Sequence, residues 1–419
     1  MKKGFKSLTP VSEALKNILS EIKPLESEIV HVKDCLNRVI AKDIIARYDV
    51  PMFDRSAMDG YAIRSEDSFG ASVNDPVYLK MAGRVEIGSI PDVEVNTGEA
   101  VQIMTGAALP RGADAVIKVE DTRRSGNNIE VIKPYPPSKN VSTRGEDVKI
   151  DDVILKRGHL LHSHDIGIII ASGYDLIKVI RKPKVSIIST GSELVDPGEK
   201  LVPGKVFDVN NATLSNLVSL FHSIPFFTSR IKDDKTELLQ TLEKAIEQTD
   251  VIVFSGGSSV GEYDIIDEII QHKGRLLVEG VAMRPGAPTL FGIIDKKPVF
   301  GLPGSPVAAM ISFDVFIRPT LQTLLSLTPY DQKPVIKAIL RRSIPSEAGR
   351  RDFARVKIVW EQDTLYAELV RIRGSGIIST LVKADGIIEV PEEREGLSKG
   401  EIVDVKLFSQ YYFPIRPLT

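Results

Sequence analysis

The sequence predicts a multidomain α/β and β protein: a central three-layer α/β domain with a mainly parallel sheet, an inserted β-rich domain, and a C-terminal β-barrel or sandwich. Three observations lead there. Between residues 181 and 330, short apolar runs alternate with helical patterns, the rhythm of a parallel sheet covered on both faces. From about 76 to 145 the pattern changes to brief β-branched runs broken by Gly, Pro and Asn. Beyond Gln332-Lys333-Pro334 strand-like alternation resumes, and GEIVDVKLF at 400–408 is typical of it. At 419 residues the chain is long enough for about three domains of ordinary size.

Each element has its own reason. Val11, Leu15, Ile18, Leu19 and Ile22 recur at helical spacing and predict an amphipathic helix over 5–22. A second segment, 33–46, leads into PMFDRSAMDGYAI at 51–63, where Pro51 stops regular structure. VYLKM, AVQIM, AVIKV and IEVIK are the candidate strands of a small β-rich domain inserted into a helical one. SHDIGIIIASG then reads as a helix ended by Gly173. Lys182-Pro183 opens the α/β region. VSIIST (185–190) is an apolar strand running into the turn TGSEL, followed by a helix at 211–222, a strand at 224–231 and a helix at 235–248. VIVF at 251–254, a helix at 264–273 and the strand PTLFGII continue the alternation. The domains so implied are 1–51 with 147–180, then 52–146, 181–330 and 331–419.

Composition excludes several classes of function. Net charge is −2 and no basic block dominates, so a nucleic-acid surface has no support; the run Arg181, Lys182, Lys184 reads as a solvated linker. No apolar stretch reaches the about 18 residues a membrane helix needs. MKKGFKSLTP lacks an apolar signal-peptide core, and Cys35 is the only cysteine, which together lead us to expect a cytoplasmic protein without disulfides. Cys35 itself, next to Leu36 on an apolar stripe, reads as core rather than nucleophile.

Two glycine-rich loops carry the strongest chemical signal: FSGGSSVGEYD at 254–264 and FGLPGSPVAAM at 300–310. Strand, glycine-rich turn and helix start together point backbone N–H groups at an anion. Ser255, Gly256, Gly257 and Ser258 of the first loop, with Pro303, Gly304, Ser305 and Pro306 of the second, are therefore candidate substrate contacts for a phosphate-bearing ligand. Neither loop is the GxxxxGK[ST] nucleotide loop or the GxGxxG dinucleotide fingerprint. Acidic residues accompany these turns: Asp59, Asp147, Glu193, Asp208, Asp233 and Asp264. Carboxylates beside a phosphate site imply a hard divalent cation, Mg²⁺ rather than zinc, because bare carboxylates would repel the phosphate. The pair His162 and His164 reads as helix-start capping, and Arg284 in MRPGAP as an anion clamp or a surface residue.

The segments PMFDRSAMDGYAI, IMTGAALPRGADAVI, RGED, STGSEL, FSGGSSVGEYD, RPGAP and GLPGSPVAAM resemble the molybdopterin molybdotransferase family, to which the E domain of gephyrin belongs. The resemblance covers nearly the whole chain in order. It implies insertion of molybdate into the dithiolene of adenylylated molybdopterin with Mg²⁺-assisted release of AMP. It also implies a homodimer of elongated four-domain subunits with a composite active site, in which the 1–51 and 147–180 segments serve dimerisation. Carried over by motif, Asp59, Thr105, Asp147, Glu193, Asp233 and Asp264 match polar positions of the family's cleft, Pro303 and Pro306 its proline loop, and Ser375 a C-terminal-domain position facing the cleft. Asp59, Asp147 and Asp264 are the expected catalytic set, and Asp59, Glu193, Asp233 and Asp264 the expected Mg²⁺ ligands. The chain departs from the family pattern at Arg284-Pro-Gly-Ala287-Pro, where KPGKP is common, and at Ser305, where GLPGNP is common. A further lysine often found just before that motif is absent, Glu279 and Gly280 occupying the region, and Ser142-Thr143 stand where an extra arginine often precedes RGED. Fewer cations admit tungstate as an alternative oxyanion. Two other readings stand beside this one: a non-enzymatic molybdopterin-binding scaffold, and an adenylyltransferase, whose family the 185–320 region also resembles. Contact with such an adenylyltransferase would be the expected protein partnership.

Overall fold

The computed structural model describes residues 8–232, 234–256, 260–329, 333–371 and 374–408, with only the backbone described over 260–264. The chain divides into two compact units, Met1–Ser27 with Ile180–Thr419, and Glu28–Val179.

The first unit is built on a six-stranded sheet in the order Ile224–Ile231, Lys184–Thr190, Val251–Gly256, Lys297–Leu302, Leu290–Ile294, Arg275–Glu279. The first four strands run parallel, Leu290–Ile294 runs against them, and Arg275–Glu279 pairs antiparallel with it and so returns to the first direction. The reversal comes from a two-residue hairpin, Asp295 at φ 48° and Lys296 at φ 65°, the positive-φ pair that suits a tight turn between twisted strands. Apolar residues on these strands alternate between two cores. Val185, Ile187, Val251, Val253, Phe300 and Leu302 join one cluster, while Ile188, Ile252, Phe254 and Val299 join the other. Both faces are therefore covered, which is why the strands read as continuous apolar runs. The Val11–Ser20 helix buries Val11, Ala14 and Ile18 on the first face, and Lys235–Gln248 buries Leu238, Leu242 and Ala245 on the second. A closed five-stranded barrel follows: Arg351–Glu361, Thr364–Arg371, Val335–Leu340, Ile402–Leu407 and Gly386–Val390, which pairs back onto the first. Closure decides for a barrel over a sandwich.

The Arg181 segment is not a solvated linker. Its guanidinium is bidentate on Asp250 at 2.6 and 2.7 Å and also pairs with Glu26, while the Lys184 N–H donates to Asp250 at 2.8 Å. A local charge run hides such distant partners, and that is why the sequence misleads here.

The Glu28–Val179 unit holds a six-stranded sheet ordered Ala115–Lys118, Gly60–Ile63, Glu99–Ile103, Val77–Arg84, Asn128–Val131, Thr122–Ser125. All four candidate strands are present. The flanking region is less helical than expected. Beside the Ser163–Ala171 helix it forms short strands such as Val39–Ile40 and Ile44–Ile45, where β-branched pairs favour extended backbone. Cys35 is fully buried, and burial pushes its thiol pKa up, as a core cysteine requires.

Candidate active site

Ligands on open α/β sheets collect beyond the carboxyl ends of the strands. The strands ending at Thr190, Gly256 and Leu302 are neighbours, in a register that sets Ser189 opposite Ser255, Thr190 opposite Gly256, and Ser255 opposite Leu302. In the first two of these strands small and polar residues thus replace the apolar run just where the strand stops, while the third ends on the buried Leu302. Gly256 is demanded by crowding: a Cβ there would lie 2.0 Å from Thr190 Oγ1 and 2.2 Å from the Thr190 carbonyl oxygen. Gly304 packs against Gly256, its notional Cβ 3.4 Å from the Gly256 Cα, so the two glycine-rich loops touch.

Asn210 ties these loops together. It lies in the first turn of the Val209–Leu220 helix, and its Nδ2 donates to Ser255 Oγ at 2.8 Å and to the Gly304 carbonyl at 2.9 Å. Asp208, buried, caps the same helix by accepting from the Asn211 N–H at 3.0 Å. Asn210 Oδ1, Thr190 Oγ1 and Ser189 Oγ are buried and have no hydrogen-bond partner among the described residues. Buried polar atoms are nearly always satisfied, so three of them around the strand ends mark a surface suited to a polar ligand. Asn210, Thr190 and Ser189 were missed by motif reading. Ser189 and Thr190 show only polarity at the end of an apolar strand, inside the STGSEL segment, and Asn210, in the first turn of a helix, has no motif signal.

The proline loop meets this cluster. Pro303 is buried, and Gly304, Ser305 and Pro306 are half-buried. Ser305 is the N-cap of the Pro306–Ser312 helix, and Pro306 occupies its first turn, where a missing N–H leaves no bond unmade. The Val307 N–H donates to the Ser375 carbonyl at 3.0 Å, which brings Ser375 to the same loop. Glu193 is exposed beyond the 184–190 strand, its carboxylate over Gly191, where a Cβ would come within 2.7 Å of Oε2. Gly257, Ser258 and Asp233 lie outside the described residues, as does the side chain of Asp264. The helix carrying Asp264 begins at Val260, so this residue stands within the helix rather than at its cap.

Arg284 is neither exposed nor unengaged. It forms an ion pair with Asp352, which is wholly buried and also accepts from Ser346 Oγ at 2.8 Å and faces Arg350 Nε at 3.3 Å. The short strand Met283–Arg284 pairs in parallel with Arg351 and Asp352 of the barrel, and this register aligns the two charges. A bound anion would have to share the guanidinium with Asp352.

In the Glu28–Val179 unit, Asp59 and Thr105 are brought together. Asp59 Oδ1 accepts from both the N–H and the hydroxyl of Thr105, each at 2.8 Å. These bonds, the backbone one foremost, hold the Asp59 carboxyl below the usual carboxylate range. The neighbouring Gly60 starts a strand rather than completing a turn, since a Cβ there would lie 1.8 Å from the Ile117 carbonyl oxygen. Asp147 is exposed in the 143–148 loop, its N–H bonded to the Val50 carbonyl at 3.1 Å. His162 is the N-cap of the Ser163–Ala171 helix, as its sequence context suggested, and its N–H donates to Asp165 at 2.8 Å.

Comparison with known families gives three successive matches. The family model described as "MoeA N-terminal region (domain I and II)" matches residues 9–173, "Probable molybdopterin binding domain" matches 186–323, and "MoeA C-terminal region (domain IV)" matches 337–408. A molybdopterin molybdenumtransferase of Staphylococcus aureus is 34% identical over 400 residues, covering 95% of each chain. A crystal structure of the molybdopterin biosynthesis MoeA protein from Pyrococcus horikoshii matches with a TM-score of 0.82 at 38% identity, covering 97% of this chain and 100% of that one. A second structure from Pyrococcus horikoshii matches with a TM-score of 0.80 at 36% identity, over 96% of this chain. Among the described residues no helix is long and apolar enough to cross a membrane.

Proposed function

The chain belongs to the MoeA family, and from that premise we propose that it is a molybdopterin molybdenumtransferase acting late in molybdenum cofactor biosynthesis. Its substrates are then adenylylated molybdopterin and molybdate, and its products the metallated cofactor and AMP. The observation that carries this reading is the polar cluster at the strand ends. Among the described residues, Ser189, Thr190 and Asn210 offer buried atoms without partners beside two touching glycine-rich loops, a surface for a phosphate-bearing ligand rather than an apolar one.

The residues divide the work. Gly256 and Gly304 let the strand end and the two loops pack closely together, while Asn210 fixes both loops from one helix. Ser375 joins the proline loop through its carbonyl, so the barrel and the sheet position the same rim. Holding the reacting groups in place supplies much of the rate in such a transfer. Asp59 fits a magnesium ligand chemically: Thr105 uses only Oδ1, and the depressed pKa keeps the carboxylate ionised. Asp59, Glu193, Asp233 and Asp264 would hold Mg²⁺, which when bound would polarise the phosphoanhydride. Asp147 joins Asp59 and Asp264 as the proposed catalytic carboxylates. We further propose a homodimer, in which the Asp59 and Asp264 carboxylates of one site come from different subunits.

The scaffold reading predicts pterin binding without turnover, and the adenylyltransferase reading predicts AMP transfer to free molybdopterin. Incubating the protein with adenylylated molybdopterin, molybdate and Mg²⁺ and quantifying AMP separates them. Binding without AMP release contradicts the proposal. The engaged state of Arg284 and the Ala287 substitution make molybdate against tungstate the informative comparison of oxyanions.

A further inference from the structure

Three of the chain's six histidines fall between residues 159 and 164, and the fold gathers all three on one buried carboxylate, His164 through its Nε2 at 3.6 Å from Asp165 Oδ1. His159 Nε2 lies 2.8 Å from Asp165 Oδ2 and His162 Nδ1 lies 3.3 Å from the same oxygen. The three donor atoms all lie within 4.8 Å of one another. We propose that His159, His162 and Asp165 form a binding site for a zinc-class divalent transition-metal ion, separate from the magnesium chemistry of the transferase reaction.

Capping alone does not account for this arrangement. In the capping box Asp165 accepts from the His162 N–H at 2.8 Å and the His162 side chain answers the Asp165 N–H, but neither bond calls for the His159 imidazole. The second imidazole arrives from the turn before the helix. There the His159 carbonyl accepts from the Ile40 N–H at 3.0 Å and the His159 N–H donates to the Lys156 carbonyl at 3.2 Å, so its backbone is fixed. Asp165 is itself only 5% exposed and cannot swing away. Two imidazoles and a carboxylate suit zinc, cobalt or nickel and are a poor set for Mg²⁺, which prefers all-oxygen octahedral coordination. Small side-chain rotations would bring the three donors to the about 2.0–2.2 Å that zinc requires. His162 is exposed and His159 half-buried, which leaves one side open for entry and for a water ligand. His164 stacks on His162 with ring centroids 5.5 Å apart and planes 7° apart, close enough to offer the fourth ligand instead. In either case the ion would lock the turn before the helix to its first turn.

The test uses the full chain without a histidine tag, stripped with chelator and titrated with Zn²⁺ against a chromophoric competitor. One equivalent per chain with Kd below about 1 μM is expected, unaffected by excess Mg²⁺. His159→Gln and Asp165→Asn should each weaken binding by about tenfold or more. The Asn variant keeps the capping acceptor, so its helix persists. His222→Gln, outside the cluster, should bind like the wild type. Co²⁺ titration of the wild-type protein gives a readout that needs no variant: visible d–d bands of a four-coordinate site. Substoichiometric Zn²⁺ binding, featureless Co²⁺ spectra, displacement by Mg²⁺, or equal affinity in the wild type and folded His159→Gln and Asp165→Asn would overturn the site.

Discussion

At the scale of single residues, Asn210 does the most with the fewest atoms. It makes two buried hydrogen bonds, to Ser255 and Gly304, and leaves a buried oxygen for the ligand. Asn210→Ala should cost about 1–3 kcal/mol of stability for the two bonds. It should also weaken pterin-nucleotide binding by about tenfold, since both loops lose their common tether. Urea unfolding and ligand titration on the same sample check the two effects; an unchanged dissociation constant would reduce Asn210 to a structural brace. Arg284 shows the opposite case. The residue before a proline in a glycine-rich motif suggests an available cation, yet Asp352 is wholly buried beneath it. Arg284→Ala should therefore lower stability by about 3 kcal/mol, the low end for a broken buried pair, because Ser346 and Arg350 remain near Asp352. A variant with wild-type urea midpoint and impaired anion binding would restore the view of a dedicated clamp.

At the scale of elements, the alternating apolar strands, their helices and the final barrel were readable because burial on both faces imposes a pattern that each segment displays by itself. The helix at 235–248 emerges with those bounds. Long-range charge was not readable. Arg181, Glu26 and Asp250 are dispersed along the chain, and only the fold makes them a clamp. That clamp carries a pH dependence. Burial raises the Asp250 pKa, but the bonds from Arg181 and the Lys184 N–H outweigh it, and the net shift is downward. A carboxyl with a depressed folded pKa binds more protons when unfolded, so its stabilisation is complete above the unfolded value of about 3.9 and fades as pH falls through the folded value. Chemical denaturation of the wild type and Asp250→Asn should show a stability gap that is constant from about pH 7 to 5 and closes below about pH 4. A gap independent of pH would assign the clamp's effect to packing alone.

At the scale of the whole molecule, the candidate site was readable as a list of motifs but not as a geometry. The glycine-rich loops and the proline loop announced themselves, and the fold joins them through Gly256, Gly304 and Ser375. Which carboxylates cooperate was not readable, since Asp59 and Asp147 lie in the Glu28–Val179 unit while Glu193, Asp208 and Asp264 belong to the other. The proposed homodimer makes that separation testable. Mixing Asp59→Ala with Asp264→Ala subunits should regenerate one intact site in each heterodimer, giving about a quarter of wild-type activity after random exchange. An inactive mixture, with exchange verified, would place both carboxylates of one site in the same chain. The central claim is transferase chemistry, and it is tested most directly by following AMP and protein-free metallated pterin together, with adenylylated molybdopterin, Mg²⁺ and either molybdate or tungstate. Our account predicts one AMP released for each metal inserted, dependent on oxyanion and Mg²⁺, whereas tight pterin binding with neither product would contradict it.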